Sequence, residues 1–182
     1  YYRLDGLNEE IADRGNINMN TYQAVDKYYT SNRWLHQLQN QWRINSQLRL
    51  STVVSFTDYS RETKTLKHDF QTDKEELTTN AGDQDVSKFK SFVFRNTLSY
   101  DISDKVSLQP GVDINYEKAS GERINGNPSI TDYAFFISSE LKPADKINIR
   151  PGLRVIKNSV YDAPPVIPSV NTKFRLSKTL DL

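Results

Sequence analysis

Residues 92–102 read FVFRNTLSYDI, and large apolar side chains alternate there with smaller or polar ones. Phe92, Phe94 and Leu98 fall on one side of an extended chain, whereas Arg95 and Asp101 fall on the other. A period of two residues is the signature of a β-strand with one apolar face. This stretch therefore predicts a strand and sets the pattern against which the rest of the chain is compared.

The same period recurs along the chain from residue 47 onward, and a poorer run precedes it at residues 32–44. We predict about seven strands, no long helix, and an all-β fold in which an antiparallel meander of hairpins forms part of a large transmembrane β-barrel. The other apolar positions are Trp34, Leu38, Trp42 and Ile44; Leu48, Leu50, Val54 and Phe56; Val106, Leu108, Val112, Ile114 and Tyr116; Tyr133, Phe135, Ile137 and Leu141; Ile147, Ile149, Leu153 and Val155; and Val166, Val170, Phe174 and Leu176.

Short and long connections alternate along this pattern, which is typical of transmembrane barrels with short periplasmic turns and long outer loops. We expect long polar links at residues 65–87, 118–130 and 159–165. The short turns are expected near Asn45-Ser46, Ser103-Asp104, Pro143-Ala144-Asp145 and Ser177-Lys178.

A weak repeat supports the hairpin interpretation. Residues 102–112 align with residues 143–153, and residues 44–50 and 175–182 resemble further copies of the turn. Pro110 and Pro151 each lack a ladder donor and each precede a glycine, so we expect a bulge or kink at both positions.

The alternation alone fits two architectures, because a soluble sandwich packs its apolar face inward and a barrel turns it toward lipid. Two observations favour the barrel. Aromatic residues collect near strand ends, with Trp42 and Tyr100 by the short turns and Tyr116 and Tyr133 by the long loops. Charges follow the opposite face at Arg49, Arg95, Asp101, Asp113, Glu117, Glu140, Arg150, Arg154, Lys173 and Arg175. The alternative is a soluble β-sandwich binding module for a carbohydrate or protein ligand.

Strand length and strand number indicate that the chain is only part of a barrel. Residues 47–63 and 88–102 exceed the 9–11 residues that a tilted strand needs to cross hydrocarbon, and seven strands cannot close a large barrel. We therefore expect part of a barrel, cut from a longer chain, with unpaired edges such as residues 32–44.

With 24 Lys+Arg against 23 Asp+Glu, no excess of positive charge favours nucleic acid as a partner. Without cysteine, a disulfide framework or thiolate site is excluded.

The first thirty residues are the least regular. We assign residues 1–30 to an irregular, extracellular loop region. Two short helices, at residues 7–14 and 21–29, are one interpretation of it, and a poorly ordered polar link is the other. Residues 31–182 are assigned to the barrel strands.

No residue pattern predicts an enzyme, a metal site or a cofactor, and the ligand-binding residues are unknown. His68 lies near Asp69 and Asp73, but a solvated loop histidine is the favoured interpretation, and His36 lies on a strand. Residues 83–85 and Asn16, Asn18 and Asn20 lack the Gly and Glu of an EF-hand loop. Adjacent carboxylates at Glu9-Glu10 and Glu75-Glu76 point apart, and no Gly-x-Ser-x-Gly elbow is present.

Residues 169–182, residues 2–11 and the turns at Ser103-Asp104-Lys105 and Ala144-Asp145-Lys146 resemble the barrel hairpins of TonB-dependent outer-membrane receptors, particularly those of Bacteroidetes. The resemblance implies a 22-stranded barrel around an N-terminal plug. It implies a Gram-negative outer membrane, with lipid, the rest of the barrel and the plug as neighbours. It also implies TonB, acting through the plug, as the energy source, and import of a siderophore, haem, cobalamin or an oligosaccharide. No functional residue carries over by motif, and this part alone should transport nothing.

Overall fold

The computed structural model describes residues 1–162 and 164–175. Nine strands in this part of the chain form one antiparallel sheet. Its spatial order is β1-β2-β3-β5-β6-β7-β8-β9, with β4 paired to the far end of β3. The strands are β1 (Tyr2–Asp13), β2 (Gln23–Arg43), β3 (Leu48–Asp69), β4 (Lys74–Leu77), β5 (Val86–Ser103), β6 (Val106–Ser120), β7 (Ser129–Ala144), β8 (Ile147–Asn158) and β9 (Val166–Phe174). The all-β antiparallel meander predicted from the sequence is confirmed.

The prediction for the first thirty residues is wrong in its local structure. Residues 7–14 and 21–29 form no helices, because β1 pairs with β2 from Tyr2↔Leu38 to Asp13↔Lys27. An isolated helix of this length is only marginally stable in water, whereas the ladder pairs the backbone along the whole of β1. Irregular structure is confined to residues 14–22, and the count of about seven strands becomes nine.

The long and short connections segregate to opposite ends of the sheet as predicted. The strands are joined at one end by residues 44–47, 104–105 and 145–146, and at the other by residues 14–22, 70–73, 78–85, 121–128 and 159–165. The link expected at residues 65–87 is shorter than predicted, since β3 continues to Asp69 and β4 occupies part of it. The turn expected at Ser177-Lys178, with Leu176, lies outside the described residues.

Of the bulge or kink predicted at Pro110 and Pro151, the bulge is wrong, because the register shifts elsewhere. The register runs unchanged from Thr97↔Gly111 to Tyr100↔Leu108, and it shifts only at the turn, between Asp101 and Ser103. A proline that lacks a donor removes a ladder bond without requiring an extra residue in the strand. Near Pro151 the shift likewise falls at the turn, between Leu141 and Ala144.

Gly111, which follows the first proline, makes room for a neighbouring ring. Phe136 lies directly opposite on β7, and its ring covers the space that a Cβ on Gly111 would occupy. Trp34 covers Gly6 in the same way across β1 and β2. Aromatic rings over strand glycines fix register and fill the gap left by the missing side chain.

The sheet has no apolar core. Among the described residues, the buried hydrophobic side chains are Ala24 and Ala134, whereas Asp26, Asp85 and Asp113 are buried polar ones. The chain exposes 13,050 Å², against about 9,000 Å² for a folded monomer of this size. The described residues therefore form a single layer, and its apolar face is not covered by any other part of the described chain.

Candidate functional site: two faces and a loop-end cavity

One face of the sheet carries a continuous apolar band. Cross-strand pairs such as Leu38↔Val54, Val54↔Phe94 and Phe94↔Ile114 place the apolar positions of successive strands on the same face. We define the apolar band as alternate positions within residues 34–42, 48–56, 92–100, 108–116, 133–141, 147–155 and 166–174. None of these positions carries Asp, Glu, Lys or Arg. Each window is nine residues long, which matches the lower end of the length that crosses hydrocarbon.

The band is open to the surroundings and has aromatic side chains at both limits. Trp42 is 63% exposed near the short turns, and Tyr133 is 52% exposed near the long loops. Tyr100 and Tyr116 lie at corresponding levels on the same face. The placement predicted for these four aromatics is confirmed.

The band ends abruptly on the strands that continue past it. Beyond Phe56 on β3, the same face carries Asp58, Ser60, Glu62 and Lys64. The 22 residues of β3 extend over about 70 Å at the usual rise. The chemistry of this face therefore changes along a single strand.

The opposite, polar face carries a ladder of ion pairs. Arg95 Nε lies 2.5 Å from Asp113 Oδ1, and Arg154 Nη1 reaches across β7 to lie 2.8 Å from Asp113 Oδ2. Ala134 separates the two strands with a small side chain, which leaves room for this contact. Asp113 is 1% exposed, and its two guanidinium partners satisfy both carboxylate oxygens.

Further pairs follow the same face toward the short turns. Arg49 Nη2 lies 3.0 Å from Asp101, and Arg150 Nη2 lies 3.2 Å from Glu140, which also accepts a hydrogen bond from Asn148. The sequence placed these charges on one face correctly. It could not pair Arg154 with Asp113, because that contact depends on the register of three strands.

A cavity of about 510 Å³ lies beside the polar face at the long-loop end. Its lining includes Tyr59, Phe89, Glu117, Ile130 and Val160. The rings of Tyr59 and Phe89 are tilted, with centroids 5.9 Å apart. Small-molecule sites are commonly concave and apolar with a few polar groups, and this volume falls in their usual range. Nothing in the sequence pattern singled out this position.

Two long loops are fastened to each other beside this cavity. The buried Asp85 carboxylate accepts hydrogen bonds from the Ser87 hydroxyl at 2.6 Å and from the Glu122 amide at 2.7 Å. Arg123 donates to the carbonyl of Gly82. The hydrogen bond from Ser87, helped by the Glu122 amide and the Arg123 charge, holds the pKa of Asp85 below its ordinary value against the effect of burial.

The two histidines weighed in the sequence have separate surroundings, and only His68 lies near acidic side chains. His68 stacks on Phe70 at 4.1 Å, with Nε2 at 3.4 Å from Asp73 and Nδ1 at 3.6 Å from Glu75. His36 lies 2.7 Å from the Tyr2 hydroxyl on the apolar face.

The adjacent carboxylates occupy separate ladder positions. Glu9 pairs with Ser31 and Glu10 with Thr30, whereas Glu75 pairs with His68 and Glu76 with Lys67. The Asn18 side chain accepts a hydrogen bond from the Asn20 amide. Within residues 1–162 and 164–175, no group of three or more His, Cys, Asp or Glu side chains is arranged to hold a metal ion.

The same described ranges contain no helix with the length and apolar character to span a bilayer.

Comparisons with known proteins give little sequence similarity. No protein-family model matches the chain, and no curated protein matches it. Among solved structures, the chain is similar to the siderophore receptor PirA from Pseudomonas aeruginosa, with a TM-score of 0.46 and 11% identity. The match covers 93% of this chain and 38% of that receptor, so the chain spans well under half of the receptor's length.

Proposed function

We propose that this chain is a segment of the barrel wall of a TonB-dependent outer-membrane receptor that imports a scarce nutrient. The observation that carries the proposal is the uncharged, exposed apolar band on a sheet that has no core. A Lys or Arg at the lipid-facing midplane of a barrel costs about 2–4 kcal/mol, so a lipid-facing wall excludes charge at these positions. Water would not.

The polar face supports the same assignment. In a barrel this face borders an aqueous interior, where ion pairs such as Arg49–Asp101 remain hydrated. The soluble sandwich requires a second layer over the apolar band. The described strands form one sheet, which counts against that alternative.

The transported ligand, the plug and the coupling to TonB belong to the whole receptor. The loop-end cavity beside Tyr59 and Phe89 is the candidate ligand contact in this segment. A siderophore, haem, cobalamin or an oligosaccharide would each offer planar or apolar surface to these rings.

The orientation of the two faces can be tested with adjacent, identical residues. Val53 pairs with Arg95 on the polar face, whereas Val54 pairs with Phe94 in the apolar band. The chain has no cysteine, so V53C and V54C each place one thiol on one face. In lipid vesicles, a charged water-soluble maleimide should label V53C rapidly and V54C very slowly.

After denaturation the two variants should label at equal rates, which controls for intrinsic reactivity. Equal labelling in vesicles before denaturation would contradict the membrane assignment. For the transport role, deletion of the receptor gene should abolish growth on the scarce nutrient to the same extent as deletion of TonB. Growth that survives loss of TonB would contradict the energy source.

A further inference from the structure

Lysines occupy the first position beyond the apolar band on three strands, all on the lipid-facing side. Lys90 precedes Phe92 on β5, Lys118 follows Tyr116 on β6, and Lys157 follows Val155 on β8. Lys88 is the next outward position on β5. We define the lysine shelf as these four residues, which are all exposed.

The shelf exists at one end of the band only. At the short-turn end, the first positions beyond the band on the same face include Ile44, Ile102 and Val106. Contact with water beyond the band does not explain why lysines lie at one end and apolar residues at the other, because the strands reach past the band at both ends.

Within the described residues, one carboxylate forms an ion pair with one of the four lysines of the shelf. Lys90 and Lys118 lie directly opposite each other, and like charges in that position destabilise a sheet. Asp58 neutralises Lys90 from the other side, with 3.3 Å between Nζ and Oδ2. Lys88, Lys118 and Lys157 have no ion-pair partner among the described residues.

We propose that the lysine shelf binds the phosphate groups of an anionic lipid in the leaflet that borders the long-loop end. This proposal rests on the proposed membrane location. Phe92 and Tyr116 lie two residues below Lys90 and Lys118 on the same face, about 7 Å along the strand. When the lysines bind the phosphate of a lipid, the acyl chains of the same molecule therefore lie against the apolar band.

Electrostatic attraction and apolar contact then act on one ligand. Each lysine near an anionic headgroup contributes about 1 kcal/mol, which corresponds to about fivefold in association. Free phosphate would satisfy the charge but not the adjoining apolar surface, so the shelf selects an acylated ligand.

Trp34 is a natural reporter for this site. It lies in the same cross-strand row as Asp58, Lys90 and Lys118, and it is 53% exposed. In the W42F background, Trp34 is the remaining tryptophan. Its fluorescence is measured in phosphatidylcholine vesicles that contain either brominated phosphatidylglycerol or brominated phosphatidylcholine at the same mole fraction.

Brominated phosphatidylglycerol should quench Trp34 with a relative association constant of about five or more over brominated phosphatidylcholine. In K88Q/K90Q/K118Q the ratio should fall to about one. The variant K105Q/K142Q/K146Q removes the same charge at the short-turn end and should keep the ratio of the parent.

Three outcomes separate the possibilities. A ratio near one in the parent, or a ratio unchanged in the shelf variant, overturns the lipid site while leaving the membrane location intact. Loss of the preference on addition of millimolar inorganic phosphate at constant ionic strength would show a plain phosphate site and overturn the proposal. Absence of quenching by either brominated lipid would contradict the membrane location itself.

Discussion

Asp113 is almost fully enclosed on the polar face, and two guanidinium groups from different strands converge on it. Arg95 is 55% exposed as a side chain, so water screens part of the attraction. Arg154 is more enclosed and also lies 5.9 Å from the centre of the Phe136 ring. The cluster therefore joins β5, β6 and β8 through one carboxylate.

Asp113→Asn should lower the free energy of unfolding in detergent by about 1–3 kcal/mol, because two cations lose their shared counter-charge. Asp101→Asn removes the exposed partner of Arg49 and should cost less than about 1 kcal/mol. Urea titration of both variants in the same detergent measures the difference. Equal losses would show that enclosure adds nothing at Asp113.

Gly111→Ala should also be destabilising, by about 1–3 kcal/mol, because a Cβ there meets the Phe136 ring and the Asn96 carbonyl oxygen at 2.7 Å. Gly152→Ala is the matched control. Its Cβ would meet the Ser169 hydroxyl, which can rotate away, and otherwise atoms at 3.6 Å. In the F136A background, G111A should lower the free energy of unfolding by less than it does in the parent chain, because the clashing ring is gone. Equal losses in the two backgrounds would argue against the steric explanation.

At the scale of the strands, the sequence predicted the apolar band but not the full length of β2 and β3. Within the band one face is apolar, so the period of two is visible. Beyond it Asp58, Glu62 and Lys64 stand on the formerly apolar face, and both faces become polar. The backbones of β2 and β3 remain paired beyond the band, but no alternation of apolar and polar residues predicts this from the sequence.

The fastening between the two long loops should depend on pH. The folded-state pKa of Asp85 lies below its ordinary value of 3.8, so its contribution is fully present above that value and is lost as pH falls through the lower, folded pKa. Hydrogen exchange of the Glu122 amide, corrected for its intrinsic rate, should rise over that range.

Asp85→Asn removes the charge and should leave this amide less protected at neutral pH and insensitive to acid. Ser87→Ala tests the main cause of the pKa shift and should move the transition to higher pH. A transition that persists in D85N would assign it to another group.

At the scale of the whole molecule, the sequence could not decide between lipid and a second layer of protein as the cover of the apolar face. Alternation is the same in both cases, and only the completed sheet shows that its strands form one layer. The edges also differ from expectation: of the residues 32–44 expected at an edge, 32–43 lie within β2, which is paired along β3 and largely along β1. In the described chain, β1 and β9 form the edges.

An open single-layer sheet with an exposed apolar face should associate in water. We expect the isolated chain to elute in the void volume of a size-exclusion column in buffer and as a monodisperse species in detergent. A soluble monodisperse monomer in plain buffer would mean that the apolar positions pack on each other, as in the sandwich alternative.

The missing core has a consequence for how such a chain changes over evolutionary time. A side chain in a packed interior must fit neighbours of fixed shape, whereas one that faces fluid hydrocarbon needs only to be apolar. In the proposed membrane location, Leu, Ile, Val and Phe should therefore replace one another freely along the band. Constraint should concentrate at the few positions with shaped partners, such as Gly111 with Phe136 and Asp113 with its two arginines. Homologues of this chain should therefore vary in sequence along the apolar band while they keep the same fold.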